Sequence, residues 1–103
     1  MNYEDFIRNR ITQLRINKNV SEYQMSLDLG HSKSYIQSIS SGRALPSMTE
    51  FLSICDYLEI SPKIFFDDGI DNPNLIQEAV DGLKQLNESD AKLILSNINR
   101  LLK

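Results

Sequence analysis

The sequence predicts an all-α protein, and three observations support this fold class. First, apolar residues recur at helical spacing along nearly the whole chain, as at Ile7, Ile11 and Leu14. Second, serine or asparagine precedes most of these stretches at the position of a helix N-cap. Third, no stretch alternates apolar and polar residues with a period of two, so no strand is predicted. The predicted order is five helices followed by a C-terminal helical hairpin.

The first two helices have clear signals at their boundaries. The first helix is predicted over residues 3–17, with the three apolar residues named above on its buried face. Ser21 is predicted to cap a short second helix, and Gln24, three residues later, completes a capping box. This helix should run to about Leu29. Gly30 follows it, and glycine tolerates the left-handed backbone that often ends a helix.

Three more helices complete the first unit. Ser32 is the candidate N-cap of a third helix over residues 33–40, which buries Ile36 and Ile39. A second capping box, formed by Ser47 and Glu50, predicts the start of a fourth helix. The apolar stripe of this fourth helix is Phe51, Leu52, Cys55 and Leu58. The short fifth helix is predicted from the cap Ser61, the first-turn proline Pro62 and the terminal pair Phe65-Phe66.

A helical hairpin is predicted after these five helices. Asn72 and Pro73 mark the start of the sixth helix, and Asn87 caps the seventh. The sixth helix runs to about Leu86 with one apolar side, formed by Leu75, Ala79, Val80, Leu83 and Leu86. The seventh has the cleanest amphipathic stripe, formed by Ala91, Ile94, Leu95, Ile98, Leu101 and Leu102. The predicted organisation is a first domain over 1–66, a linker over 67–74 and the hairpin over 75–103.

The charges are distributed unevenly along the chain. The 103 residues are enough for one domain, and they carry 11 basic and 14 acidic side chains, a net charge of −3. Residues 8–43 alone hold six basic and two acidic side chains. A locally basic stretch is compatible with nucleic-acid binding despite the acidic total, because phosphate charges act over about one Debye length, ~8–10 Å.

Other function classes lack their signatures. There is no glycine-rich phosphate loop, zinc-ligand spacing or nucleophile elbow, so we expect no enzyme activity, cofactor or metal. The single cysteine, Cys55, has no partner for an internal disulfide, and we expect it to be buried. No apolar run approaches the roughly 20 residues that cross a bilayer. We therefore expect a cytoplasmic protein without membrane association, and nothing implies a small-molecule effector.

Two short helices joined by a tight turn containing Gly30 are typical of a helix-turn-helix. The residues concerned are Ser21-Glu22-Tyr23-Gln24-Met25-Ser26-Leu27-Asp28-Leu29-Gly30 and His31-Ser32-Lys33-Ser34-Tyr35-Ile36-Gln37-Ser38-Ile39-Ser40-Ser41-Gly42-Arg43. They closely resemble the XRE-type family, the helix-turn-helix domains of Cro and phage-repressor-like transcription regulators. The resemblance continues through Arg43-Ala44-Leu45-Pro46-Ser47 and covers about residues 6–66. It implies a lambda-repressor-like five-helix domain.

The resemblance implies that the third helix enters the DNA major groove and the second lies across the backbone. The positions that align with the family's base-reading residues are Lys33, Ser34 and Ser38. We add Gln37 because Ile36 and Ile39 must face the core, which leaves this side chain projecting outward. Lysine can donate to guanine O6 and N7, and glutamine can pair with adenine N6 and N7.

The resemblance also implies contacts to the phosphate backbone. The positions that align with these contacts are Ser32, Ser41 and Arg43. Tyr35 has two interpretations, since it could hydrogen-bond a phosphate or simply cover the turn. Arg43 could also complement the C-terminal dipole of the third helix.

Two positions depart from the family pattern. Glu22 stands where the family often has a glutamine that bonds a phosphate, and a carboxylate there would repel phosphate. Arg15 corresponds to an arginine that the family pairs with a glutamate at the end of the third helix, but that position is Ser40. We expect Arg15 to find another acceptor, such as a carbonyl or Glu22, or to stay solvated.

The C-terminal hairpin has two interpretations. It could cover its own domain as an added layer, or its stripe could pair with the same stripe of a second copy. We favour pairing, because the first five helices already have a closed apolar set and regulators of this class usually read near-palindromes as two-fold dimers. The predicted dimerisation residues are Ile94, Leu95, Ile98, Leu101 and Leu102.

The sequence therefore predicts a transcriptional regulator that binds double-stranded DNA sequence-specifically, as a homodimeric repressor of a near-palindromic operator. Repression rather than activation rests on family analogy and small size. The alternative is a helix-turn-helix protein-interaction module, antitoxin-like or partner-binding, with weak or no specific DNA binding. Glu22 and the net charge of −3 favour this alternative.

Overall fold

The structure, a computed structural model that describes residues 2–103, is all-helical as predicted. No strand occurs among these residues, and no helix among them has the length and apolarity to cross a membrane. The helices are α1 (Tyr3–Asn17), α2 (Glu22–Asp28), α3 (Tyr35–Ser40), α4 (Met48–Tyr57), α5 (Pro62–Phe65), α6 (Pro73–Lys84) and α7 (Glu88–Leu101).

The buried core lies among the first five helices. Phe65 of α5 is fully buried, and its ring lies edge-on to Phe51 of α4 at a centroid distance of 4.9 Å and to Phe6 of α1 at 6.4 Å. This arrangement is a favoured geometry for aromatic pairs. The other buried apolar residues are Ile11, Leu14, Met25, Ile36, Ile39, Ile54, Cys55, Leu58, Ile60 and Ile64. The core therefore contains the inward faces of both α2 and α3.

One predicted core position in α4 is wrong. Leu52 is 47% exposed, whereas Ile54 is fully buried. The buried residues Phe51, Ile54, Cys55 and Leu58 follow the i, i+3, i+4, i+7 spacing of one helix face, and Leu52 lies outside it. Cys55 is buried as predicted, and this burial raises the pKa of its thiol to about 11.

Side-chain caps begin the later helices at the predicted residues. At α4 the capping box is complete, because the Glu50 N–H donates to Ser47 Oγ at 3.1 Å and the Ser47 N–H donates to Glu50 Oε1 at 2.9 Å. The bond from the Ser47 backbone lowers the pKa of the Glu50 carboxyl. The other predicted caps that accept an amide of their helix are Ser61, Asn72 and Asn87.

Only half of the predicted capping box of α2 forms. Ser21 Oγ accepts from the Gln24 N–H at 3.0 Å, but the Gln24 side-chain amide donates to Asp28 Oδ1 at 2.7 Å instead of returning to the cap. The charged carboxylate one turn away is the stronger acceptor. Asp28 also accepts from the Tyr57 hydroxyl at 2.6 Å, and the bonds from Tyr57 and Gln24 lower the pKa of the Asp28 carboxyl.

The start of α3 corrects another prediction. The helix begins at Tyr35 and not at Lys33, and Ser32 is not its cap. The Tyr35 N–H donates to the Ser32 carbonyl at 3.0 Å, which closes a turn over the two residues before the helix. Ser34 stands at the N-cap position without a side-chain capping bond. The helix therefore needs a cap from elsewhere in the chain.

A fully buried serine of α2 supplies this cap. Ser26 Oγ accepts from the Ile36 N–H at 3.0 Å and donates to the Glu22 carbonyl at 2.7 Å. The amide of Ile36 lies in the first turn of α3, where no partner exists within the helix itself. Gly30, with φ of 79°, reverses the chain between the two helices. The angle between α2 and α3 is thus held by a buried hydrogen bond as well as by apolar packing.

The C-terminal hairpin leaves its apolar residues exposed. Pro73 at the start of α6 is fully buried and Val80 packs against the core, but the helix ends at Lys84 and not near Leu86. The exposed members of its predicted stripe are Leu75, Ala79, Leu83 and Leu86. No side chain of α7 is buried. The hairpin therefore does not use the α7 stripe to cover the five-helix unit.

Replacing Ser26 by alanine should lower the free energy of unfolding by about 1–3 kcal/mol, because the buried Ile36 amide would lose its acceptor. Chemical denaturation of Ser26→Ala measures this change. Ser53→Ala is the matched control, since Ser53 is exposed on α4, and it should shift stability by less than about 0.5 kcal/mol. Equal stability of the two variants would show that the hydroxyl does not hold α3.

Candidate nucleic-acid interface

α3 presents one buried and one exposed face. Ile36 and Ile39 are buried, which fixes the rotation of this six-residue helix against the core. Lys33 and Ser34, in the turn before the helix, are exposed, as is Gln37 within it. The structure therefore brings these three predicted base-reading residues to the surface at the N-terminal half of α3. Ser38, the fourth, is only half-buried.

The polar side chains of this surface are partly engaged with one another. Ser38 Oγ donates to the Tyr35 carbonyl at 2.6 Å, and Ser41 Oγ donates to the Ser38 carbonyl at 3.3 Å. Arg43 Nη2 donates to Gln37 Oε1. This contact connects a predicted phosphate-binding residue to a predicted base-reading residue and holds both at the exposed end of the motif. Among the described residues, Lys33 forms no ion pair.

Three arginines of the basic stretch are used inside the protein. Arg8 Nε donates to the Ile39 carbonyl at 3.1 Å, so it binds the C-terminal turn of α3. Arg10 Nη2 donates to the Asp67 carbonyl at 2.9 Å. Arg15 Nη1 donates to the Val20 carbonyl at 2.8 Å; it thus takes a carbonyl, one of the acceptors that the sequence left open. The surface charge around α3 is therefore smaller than the count of basic residues suggests.

The unusual Glu22 also has an internal partner. Its Oε2 accepts a hydrogen bond from Ser40 Oγ, which joins the start of α2 to the last residue of α3. Both positions that depart from the family pattern are thus in contact with each other. Here a neutral hydroxyl and a carboxylate are paired, and Arg15 binds a carbonyl. The carboxylate of Glu22 reinforces the packing of α2 on α3.

Tyr35 packs over the turn between α2 and α3. Its ring stacks on His31 with a centroid distance of 3.7 Å and an interplanar angle of 8°. The hydroxyl is buried, with no hydrogen-bond partner in residues 2–103. Burial, with the nearby Glu50 carboxylate, raises the pKa of this hydroxyl, so it stays neutral. The geometry favours the interpretation in which Tyr35 covers the turn over the one in which it binds a phosphate.

The remaining predicted phosphate contacts are exposed. Ser32 lies in the turn before α3, Ser41 is the C-cap of the helix, and Arg43 follows Gly42. All three surround the same exposed surface as Lys33. The arrangement can offer two cations, hydroxyl groups and one side-chain amide to a polyanion, and Gln37 and Lys33 carry the groups that distinguish bases.

Sequence reasoning missed two residues that position this surface. Ser26, a residue of α2, caps the N-terminal end of α3, and Arg8 binds the C-terminal end of α3. A serine directly beside the inward-facing Met25 was a usable signal, because a buried hydroxyl needs a partner. Arg8 gave no comparable signal, since its acceptors, the carbonyls of Ile39 and Gly42, are more than thirty residues away.

Comparison with known proteins gives one match. A family model described as a helix-turn-helix domain matches residues 9–72, more than half of the chain. Neither the curated proteins nor the solved structures contain a match to this chain. The matched range includes all of α2 to α5 and most of α1. It contains each residue of the surface described above.

Proposed function

The chain belongs to the helix-turn-helix domain family, and from this premise we propose that it is a sequence-specific DNA-binding regulator of the XRE type. In this proposal two copies bind a near-palindromic operator, each with α3 in the major groove. Bound at a promoter, the dimer represses transcription by steric occlusion. The observation that carries the proposal is that α3 buries Ile36 and Ile39 and exposes Gln37, close to the exposed Lys33 in the turn before the helix.

The base-reading role is assigned to four residues. Lys33 is unpaired and donates to guanine O6 and N7, while Gln37 pairs with adenine N6 and N7. Ser34 and Ser38 add short-range donors or acceptors. In the free protein, Arg43 donates a hydrogen bond to the side-chain oxygen of Gln37. The two side chains must therefore separate or bind DNA together. Ser32, Ser41 and Arg43 take the phosphate contacts.

Lys33→Ala should weaken binding to the duplex that the wild-type protein prefers by about 1–3 kcal/mol and relax the preference at one base pair. Loss of the bidentate contact to guanine is the physical reason. Fluorescence titrations on that duplex and on its single-base variants measure both effects. Lys84→Ala, which removes an exposed lysine on α6, is the charge-matched control and should leave the base preference unchanged. An equal loss by Lys33→Ala on random duplexes would make Lys33 a phosphate contact.

The salt dependence of binding should be shallow. With Arg43 as the cation that contacts phosphate on each protomer, a dimer directs two cations at phosphates, and log K against log salt should have a slope of about −2. Titrations over a range of salt concentrations measure this slope. A slope near zero would contradict DNA binding and favour the alternative, a protein-interaction module. The alternative is supported by three arginines of residues 8–43, which bind backbone carbonyls within the protein and so are not free for DNA.

We assign dimerisation to the α7 apolar face, defined as Ile94, Leu95, Ile98, Leu101 and Leu102. Every one of these side chains is exposed, from 39% to 79%. These five residues expose on the order of 500 Å², which can form the centre of the ~800 Å² that a standard interface buries on each partner. The area thus suits a second copy of the chain.

The charges at the two ends of α7 also favour a second copy of the chain as the partner. The first turn of α7 is acidic, with Glu88 and Asp90, and its C-terminal end is basic, with Arg100 and Lys103. A two-fold axis across α7 makes the two copies antiparallel, which places each acidic end beside a basic end. Such self-complementarity is what an interface between identical chains requires.

The double variant Leu95→Glu/Leu102→Glu should convert a dimer to a monomer. Both side chains are more than half exposed in one protomer, so the substitution should act on association and not on folding. Sedimentation equilibrium measures the change. Ser96→Glu adds a carboxylate on the opposite side of α7 and should remain dimeric. A double variant that sediments like the wild-type protein would remove the α7 apolar face from the interface.

A further inference from the structure

α1 makes a polar contact with the chain that enters the hairpin. Arg10 donates to the backbone carbonyls of Asp67 and Ile70, at 2.9 and 3.3 Å. One turn further along, Gln13 Nε2 donates to the Asp71 carbonyl at 2.8 Å. Asn17 Nδ2 then donates to Asn74 Oδ1 at 2.9 Å. We call these contacts the root seam, formed by Arg10, Gln13 and Asn17 on α1 and residues 67–74.

The root seam is specific for one path of the chain. Arg10 is only 6% exposed, and its guanidinium lies 4.9 Å from the centroid of the Phe6 ring. A buried guanidinium is costly unless its donors are bound, and here they are bound by the backbone carbonyls of Asp67 and Ile70. Residues 67–74 are therefore held against α1 and do not act as a flexible linker.

Further contacts extend this attachment into α6. Pro73 is fully buried at the first position of the helix. Gln77 Oε1 accepts from the Ser61 N–H at 2.9 Å, at the N-cap of α5. Val80, almost two turns into α6, packs against the core. The first two turns of α6 are thus fixed to both α1 and α5.

The same helix also holds α3. Arg8 binds the carbonyls of Ile39 and Gly42 at the C-terminal end of α3. Arg8 lies two residues before Arg10, so one helix binds the recognition surface with one side chain and the root of the hairpin with another. Side-chain hydrogen bonds from α1 therefore connect α3 to the start of α6.

We propose that the root seam is a spacing device: by fixing the first two turns of α6 relative to α3, it narrows the range of half-site separations that a dimer accepts. The inference rests on the proposed function, in which the hairpins pair and each α3 reads a half-site. Attachment of α6 to α1 and α5 restricts the distance between the two α3 helices, whereas a flexible linker would tolerate more spacings. Gln13 and Asn17 are positioning residues that touch no DNA.

The test compares binding to duplexes that carry the same two half-sites at different separations. In Gln13→Ala/Asn17→Ala the donors of the exposed part of the seam are removed while Arg10 remains, so the protein stays folded. The wild-type protein should prefer one separation by about tenfold, and the double variant should reduce that preference by about threefold, because Arg10, Pro73 and Val80 still attach α6. Affinity for a single half-site and the dimer dissociation constant should not change. A stability defect alone would lower every affinity together.

Two further variants test whether the change in spacing preference is specific to the root seam. Asn9→Ala removes an exposed amide of α1 outside the seam and should keep the wild-type spacing preference. Gln13→Arg with Asn17 intact retains an N–H donor and should restore the preference. If the double variant keeps the preference of the wild-type protein, or if the wild-type protein binds its half-sites at every spacing equally, the spacing device is disproved while the proposed function stands. If the wild-type protein binds no half-site above random DNA, the proposed function fails and the device fails with it.

Discussion

A single buried hydroxyl group links the two helices on which the interface depends. Ser26 is a residue of α2, but its Oγ completes the hydrogen bonding of α3 by accepting from the Ile36 N–H. α3 has only six residues and no side-chain cap of its own, so it is too short to be stable without tertiary contacts. Ser26, the burial of Ile36 and Ile39, and Arg8 at the other end together fix its rotation. The exposed position of Gln37 follows from that rotation, and Lys33 is exposed in the turn that precedes the helix.

Local patterns in the sequence were sufficient for the elements but not for their connections. Caps such as Ser47 with Glu50 act within one turn, so spacing alone predicts them, and both bonds form. Gln24 shows the limit of such rules, because a competing carboxylate at Asp28 takes its amide. Leu52 is hydrophobic, but the phase of α4 places it outside the buried face, so hydrophobicity alone predicts its position wrongly. The exposure of Gln37 follows from the periodicity of α3, whereas the hydrogen-bond partners of the candidate site residues depend on tertiary structure.

The arginines show how fold and function compete for charge. Arg8, Arg10 and Arg15 all bind backbone carbonyls, and each closes a helix end or a loop. A sequence does not show which arginines bind backbone carbonyls, so a count of basic residues overstates the positive charge near α3. The same contacts order the molecule around α1. The candidate interface thus gains a fixed shape but has fewer free cations, and the DNA recognition proposed for it depends more on the placement of a few polar groups.

The central claim is that α3 reads DNA sequence in a two-fold dimer. Selection of duplexes from a random pool by the full chain at low salt tests it most directly. The account predicts enrichment of a near-palindrome whose half-site centres lie about one helical turn, ~10 base pairs, apart. A pool that remains random after repeated selection, with only feeble binding even at low salt, would contradict it.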